Sequence, residues 1–288
     1  MTAERKGRFS VLPGNLRGLL IRLALYYGVI CVFVYLIQDR LLYYPVRVAL
    51  EKTFAAAAKY GLTPWPEANA DYHGFVRLPE TSPTKGTVVV FHGNAGTAAD
   101  RGFYADALCP LGYRVLLLEY PGYGSREGRV GEKSFVSAAV QSIELAGKQY
   151  GQPLFVMGES LGAAVGAVAA AKSEAKVAGV AAITPWHNLP DLAQATYWYL
   201  PARLLARDQY LNAKSLNELG QRVAVCIAEE DTIVPPVHGE RLFNDLNVVK
   251  RKWIFPGVGH NSWPTEPGHA WWSEVMNFLA ADEPAPVP

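Results

Sequence analysis

The chain has 288 residues, 50% of them hydrophobic and 18% charged, with a net charge of +1. That length suits one large α/β domain or two small ones and is enough to bury a sizeable core. The near-neutral balance, with no basic block beyond the N-terminus, argues against a nucleic-acid surface, and three cysteines without a Cys-x-x-Cys pair or Cys/His spacing argue against a structural zinc site or a disulfide framework.

The first predicted element runs from Leu19 to Ile37, an apolar stretch of 19 residues with one charge, Arg22, near its start. A helix of that length spans a hydrocarbon core of about 30 Å. Arg22 reaches the headgroups by snorkelling, and Tyr43 and Tyr44 fall where an interfacial belt sits. A cleaved signal peptide needs a small-x-small site after its apolar run; "QDRLLYYPVR" offers none, so an uncleaved transmembrane anchor over 19–37 is expected. Arg5, Lys6, Arg8, Arg17 and Arg22 precede the stretch, and Arg40, Arg47 and Lys52 follow it. This bias points residues 1–18 toward the cytoplasm and the rest of the chain away from it, into the periplasm of a bacterium. Residues 38–66 read as a juxtamembrane connector, so a chain starting near Leu50 is expected to be soluble and active.

Beyond the connector, apolar runs and helical patterns alternate over 67–282. The runs are 86–93, 113–120, 153–158, 177–185, 222–230 and 250–257; helical patterns cover 97–108, 132–150, 161–172, 237–246 and 267–281. Continuous apolar strands alternating with helices predict a mostly parallel sheet covered on both faces. Residues 186–220 form an insert between two runs and read as a small cap rich in aromatic residues. The tail 283–288 reads as disordered.

Active sites of such sheets lie at the carboxyl ends of the strands, so the residues after each run carry the chemistry. After the third run comes "GESLG", which puts Ser160 in a Gly-x-Ser-x-Gly frame between a strand and a helix. Such a frame describes an ordinary turn or a nucleophile elbow; the second needs partners. A serine hydroxyl is a poor nucleophile without a base, and the base is usually a histidine held by a carboxylate. His260 follows the last run in "PGVGHNSWP", whereas His73, His92, His187, His238 and His269 lie elsewhere in the pattern. Asp231 follows the fifth run in "AEEDTIVPP"; Glu229 and Glu230 are its neighbours, and an N-cap for the next helix is its alternative role. The developing oxyanion needs two fixed backbone N–H groups. Leu161, after the serine, supplies one. The loop "FHGNAG" supplies the other, with Asn94 the first candidate and Ala95 the second.

Taken together, "FHGNAG", "EYPGYGSREG", "GESLG", "DTIVP" and the Gly259-His260 pair resemble the α/β-hydrolase superfamily. The closest likeness is to its membrane-anchored, serine-aminopeptidase-like branch, which includes monoacylglycerol-lipase-like and acyl-protein-thioesterase-like members. "LLYYP" and "YLPARLLARDQYLNAKSL" share that likeness, which extends from about residue 35 to 280. The resemblance implies an α/β-hydrolase fold, Ser160 as nucleophile, His260 as base and Asp231 as the acid of the triad. It implies no metal and no organic cofactor. The expected activity is hydrolysis of an acyl ester or thioester, with a small-molecule or lipid-like acyl substrate. An aminopeptidase of the same fold would need an acid in the cap to hold a free amine, for which Asp191 is the candidate. A non-enzymatic membrane scaffold would have no use for the triad.

Overall fold

The computed structural model describes residues 14–69 and 71–281. The expected cytoplasmic segment before residue 14 and the tail 283–288 lie outside the described residues. The chain begins with α1 (Gly14–Leu42) and α2 (Leu50–Ala58), followed by β1 (Thr63–Trp65), β2 (Gly74–Arg77) and β3 (Thr87–Phe91). A 3₁₀ turn (Ala98–Arg101) leads to α3 (Phe103–Leu108), β4 (Arg114–Leu118), α4 (Glu132–Tyr150), β5 (Leu154–Glu159), α5 (Leu161–Lys172) and β6 (Val177–Ile183). The insert holds α6 (Leu189–Thr196), α7 (Ala202–Leu205) and α8 (Asn212–Leu219); β7 (Arg222–Ala228), α9 (Pro236–Asp245), β8 (Lys250–Phe255) and α10 (Ala270–Leu279) close the chain.

Eight strands form one sheet in the order β1-β2-β4-β3-β5-β6-β7-β8. The ladder from β4 to β8 is parallel, and β2 is antiparallel to both β1 and β4. Side chains alternate between the faces with the period of two that a pleat imposes. Val89, Leu116, Val156 and Val225 point to one core, with Phe135, Ile143 and Leu216 of α4 and α8. Val88, Leu117, Met157 and Cys226 point to the other, with Tyr104, Trp272 and Val275 of α3 and α10. Burial on both faces explains why the central strands read as unbroken apolar runs.

Helix α5 is buried from Leu161 to Ala170. It packs against the sheet and against α4 and α8, and after Leu161 its buried positions are all Ala, Gly or Val. The helix expected over 97–108 is broken at Gly102, where a Cβ would collide with the Tyr60 ring.

The N-terminal helix runs Gly14–Leu42 and contains the expected span 19–37. It continues through Gln38 and Asp39 because both find partners on the cap, and Pro45 lies just beyond its end. The expected connector 38–66 is part of the hydrolase body. Tyr43, Thr53, Ala57, Leu62 and Trp65 are buried, and β1 starts at Thr63. Both Cys109 and Cys226 are buried core residues, as their positions in the sequence suggest.

Candidate active site

Strand β5 ends at Glu159 and α5 starts at Leu161, so Ser160 alone makes the turn, at φ 52° and ψ −117°. A non-glycine residue with positive φ is strained and held only by its surroundings. Those surroundings are Gly158 and Gly162. A Cβ on Gly158 would overlap the Gly162 carbonyl, and one on Gly162 would overlap the Phe91 carbonyl. The Ser160 amide is fixed by the Ile183 carbonyl at 2.9 Å. Its side chain makes no capping hydrogen bond to α5, which leaves the hydroxyl free of the role a turn or N-cap serine has.

Asp231 follows β7 and is 5% exposed, whereas Glu229 and Glu230 face solvent. Its Oδ1 accepts the amides of Ile233 and Val234 at 2.9 and 2.8 Å, closing the turn that aims the carboxylate. Its Oδ2 lies 2.6 Å from Nδ1 of His260. The next helix is capped by Pro235, so Asp231 is not its N-cap. His260 sits in the loop after β8, which is latched by the Glu230 amide on the Val258 carbonyl at 2.9 Å and the Gly259 amide on Ser262 Oγ at 2.9 Å. With Nδ1 turned to a carboxylate, the proton resides there and Nε2 is the acceptor. Ser160 and His260 line the same cavity. Among the described residues no hydrogen bond closes between them; such bonds commonly tighten only once substrate is bound.

Four of the other histidines have structural partners, and the fifth is buried. His92 is buried with Nε2 2.9 Å from Glu119, His73 meets Ser142 at 3.0 Å, and His187 pairs with Asp245 at 2.7 Å. His269 caps α10, and His238 is buried on α9.

The loop after β3 crosses the elbow. Its Gly93 amide donates to Glu159 Oε1 at 3.0 Å, and the Arg101 Nε donates to the same oxygen at 2.6 Å. Asn94 Oδ1 accepts from the Tyr44 amide at 3.3 Å and from the Tyr123 hydroxyl at 3.1 Å, and its Nδ2 donates to the Leu42 carbonyl. The Asn94 and Leu161 amides make no hydrogen bond among the described residues. Leu161 is the first residue of α5, where an orphan N–H and the helix dipole both favour a negative oxygen.

A family model described as serine aminopeptidase, S33 matches residues 82–215, which include Ser160 but not Asp231 or His260. The uncharacterized protein Rv2307c of Mycobacterium tuberculosis is 35% identical over 206 residues, covering 70% of this chain and 73% of that protein. Lysophosphatidylserine lipase ABHD12 of Danio rerio is 27% identical over 200 residues, covering 62% of this chain and 52% of that protein. The chain belongs to the α/β-hydrolase superfamily. Among solved structures, the monoacylglycerol lipase of Paleococcus ferrophilus shares the hydrolase fold at a TM-score of 0.53 and 21% identity, covering 72% of this chain and 98% of its own.

The cavity of this hydrolase measures about 760 Å³. Its walls carry Phe103, Trp186, Leu189, Leu192, Ile233 and Trp263. Its two charged residues, Arg101 and Glu159, are paired with each other. Two buried wall atoms, Thr184 Oγ1 and Trp186 Nε1, have no partner among the described residues. Thr184 is also held at φ 46°, a strained position for a β-branched residue. Leu41, Leu42 and Tyr44, from the end of α1, complete the wall. Sequence reasoning missed that contribution, because only tertiary folding brings residues 41–44 beside 94 and 189. It also missed Glu159 and Arg101, although a carboxylate at the end of a buried strand is a signal that could have drawn attention.

Asp191 does not face the cavity. It accepts the Arg203 and Arg241 guanidiniums at 2.6 and 2.8 Å, and Asn188 caps α6 around it. Burial alone would raise its carboxyl pKa, but the Asn188 hydrogen bond and the two arginines outweigh burial and hold it below the ordinary carboxylate range.

Proposed function

We propose that this chain is a membrane-anchored serine hydrolase that cleaves a neutral, lipid-like acyl ester. The observation that carries the reading is the 2.6 Å contact of His260 Nδ1 with Asp231 in a cavity shared with the strained Ser160. Ser160 Oγ attacks the ester carbonyl and its proton passes to His260 Nε2. The amides of Leu161 and Asn94 receive the oxyanion, and Asp231 stabilises the imidazolium. When the intermediate collapses, the alcohol leaves with the proton from His260 and the acyl group stays on Ser160. Water, deprotonated by His260, then releases the carboxylic acid and restores the serine. A thioester would follow the same course with a thiol as leaving group.

The substrate class follows from the wall. An apolar cavity whose ion pair is internally neutralised suits an acyl chain, in keeping with the lipase names of relatives. A peptidase reading draws on the family description, but Asp191 is held by two arginines and Glu159 by Arg101, which leaves neither for a substrate amine. Helix α1 supplies the anchor: Asn15–Leu42 is long and apolar enough to cross a membrane, with a mean hydropathy of 2.2 over an 18-residue stretch of it. The small excess of basic residues before it, five against three after, supports a hydrolase domain outside the cytoplasm.

The test is labelling of the full chain by a fluorophosphonate, alongside p-nitrophenyl esters of rising chain length and aminoacyl-naphthylamides. Wild type is expected to label and to prefer longer esters, and Ser160→Ala to do neither while keeping its fold. Labelling of Ser160→Ala at the wild-type level would sink the nucleophile assignment, and turnover of the naphthylamides alone would shift the reading to a peptidase.

A further inference from the structure

The cap rests on α1 as well as on the hydrolase body. The Tyr27 hydroxyl donates to the Tyr199 carbonyl at 2.9 Å. Gln38 donates to the Leu205 carbonyl at 3.2 Å and accepts the Arg207 amide at 2.8 Å, while Arg207 pairs with Asp39 at 2.5 Å. Tyr27, Cys31, Val34, Gln38 and Leu42 recur at helical spacing and mark one face.

That contact conflicts with a cap standing clear of the membrane. The segment between Arg22 and Asp39 carries no charge, so the hydrocarbon boundary falls near Gln38. A span of about 20 residues ending there starts near Leu19. Tyr27 then lies about 16 Å along the helix inside that boundary. Tilting α1 reduces this depth but lowers the same cap edge onto the membrane. The cap residues at this edge are apolar and bare: Trp198 is 79% exposed, Tyr199 56% and Leu204 86%. A soluble surface rarely gathers such groups, and Trp and Tyr favour the membrane interface.

We propose that the cap edge formed by Trp198, Tyr199 and Leu204 is sunk in the leaflet that holds the C-terminal half of α1. The seam between α1 and α6 is then the door through which an acyl chain passes from that leaflet into the cavity. Leu41 and Leu42 line the cavity on one side of this seam, and Leu189 and Leu192 on the other. The proposal rests on α1 being a membrane anchor and deepens that reading.

The experiment uses the full chain in phosphatidylcholine vesicles, with Cys31 replaced by Ser. A fluorophore that reports polarity is attached at Leu204→Cys, or at Lys176→Cys as the control. Lys176 is exposed just before β6, at the end of the sheet away from the site. Lipids with a nitroxide on the upper acyl chain serve as quencher, and flotation reports anchoring. The expected result is flotation of both proteins, with a blue shift and quenching at position 204 but not at 176. Flotation with neither label quenched overturns the sunken edge and leaves the anchor standing. Failure to float overturns the anchor and the proposal with it. A second arm compares Trp198→Asp/Leu204→Asp with wild type. Hydrolysis of vesicle-borne monooleoylglycerol should fall about tenfold or more, as the loss of two buried apolar anchors implies, while hydrolysis of p-nitrophenyl acetate is unchanged. Equal losses on both substrates would refute entry through the seam.

Discussion

The Ser160 elbow and the seam between α1 and the cap both border one cavity, yet different forces hold them. At the elbow, backbone meets backbone: Gly158 and Gly162 leave no room for a methyl group, and Ser160 is locked at a positive φ. At the seam, single hydrogen bonds and half-exposed ions join Tyr27, Gln38 and Asp39 to Tyr199, Leu205 and Arg207. The chemistry needs atoms fixed to fractions of an ångström, and close packing supplies that. The route for substrate needs surfaces that can part, and exposed polar contacts worth about 0–1 kcal/mol each suit that need.

The largest effect should come from the elbow side. In the proposed mechanism, Asp231→Asn removes the carboxylate that fixes the His260 tautomer and stabilises the imidazolium. In serine proteases the equivalent change costs about 10⁴-fold in turnover, so a loss of two orders of magnitude or more is expected. Glu229→Gln and Glu230→Gln should stay near wild type. Both are exposed, and the Glu229 carboxylate accepts the Gly257 amide at 3.0 Å. Turnover and half-saturation of the three variants on one short ester decide this, with circular dichroism as the folding control. A collapse of either glutamate variant with Asp231→Asn near wild type would redraw the acid.

Two glycine substitutions sharpen the contrast in packing. Gly162→Ala sets a methyl against the Phe91 carbonyl and should cost about 3 kcal/mol or more, or prevent folding. Gly28→Ala in α1 meets nothing within 4 Å and should be tolerated. Chemical denaturation of the two variants in detergent checks the pair. Similar stabilities would mean that the elbow is looser than its contacts indicate.

Between the two regions stands Tyr43, where α1 joins the body. Its ring packs edge-on to Phe135 with centroids 5.1 Å apart, and its hydroxyl reaches Asp208 at 2.5 Å and Tyr210 at 3.0 Å. Burial first, then Tyr210 and Asp208, pushes the hydroxyl pKa far up, so it stays a donor. Tyr43→Ala should cost about 3 kcal/mol, as loss of a large buried aromatic does. A chain starting at Leu50 lacks this ring and the Tyr44 and Leu42 contacts that hold Asn94, so it should be less stable and less active than one starting at Asp39. Equal melting temperatures and turnover would restore the connector boundary expected from the sequence.

The central sheet was legible because each buried strand, five to seven residues long, is built on an apolar run of at least four. β1 and β2 were not, because Thr63–Trp65 and Gly74–Arg77 are three and four residues long and lack such a run. Ser160, Asp231 and His260 could be chosen because topology puts strand-end residues on one rim. The acidic brace of Glu159 and the wall from α1 escaped notice. Their partners lie 58 and 52 residues away, in the Glu159–Arg101 pair and the Leu42–Asn94 bond. Neither periodicity nor spacing reports such a contact.

The smallest expected effect concerns the ion cluster of the cap and its dependence on pH. The Asp191 carboxyl is held below its ordinary pKa when folded, by Asn188, Arg203 and Arg241 acting against burial. A depressed carboxylate contributes stability above its unfolded pKa of about 3.9, and that contribution fades as pH falls through the lower folded value. The side chains of Arg203 and Arg241 are 59% and 52% exposed. Solvent screening therefore limits the contribution to about 1 kcal/mol or less. Asp191→Asn should melt slightly below wild type at neutral pH, and the gap should narrow as pH falls below about 4 and the wild-type carboxyl takes up its proton. Added salt should narrow it at neutral pH as well. Melting curves of both proteins across that range, at low and high salt, check the sign. The elbow offers the reference: a gap caused by Gly162→Ala is steric and should respond to neither pH nor salt. If the Asp191→Asn gap is equally unmoved by both, the cap is held by packing like the elbow, and the contrast between the two sides of the cavity fails.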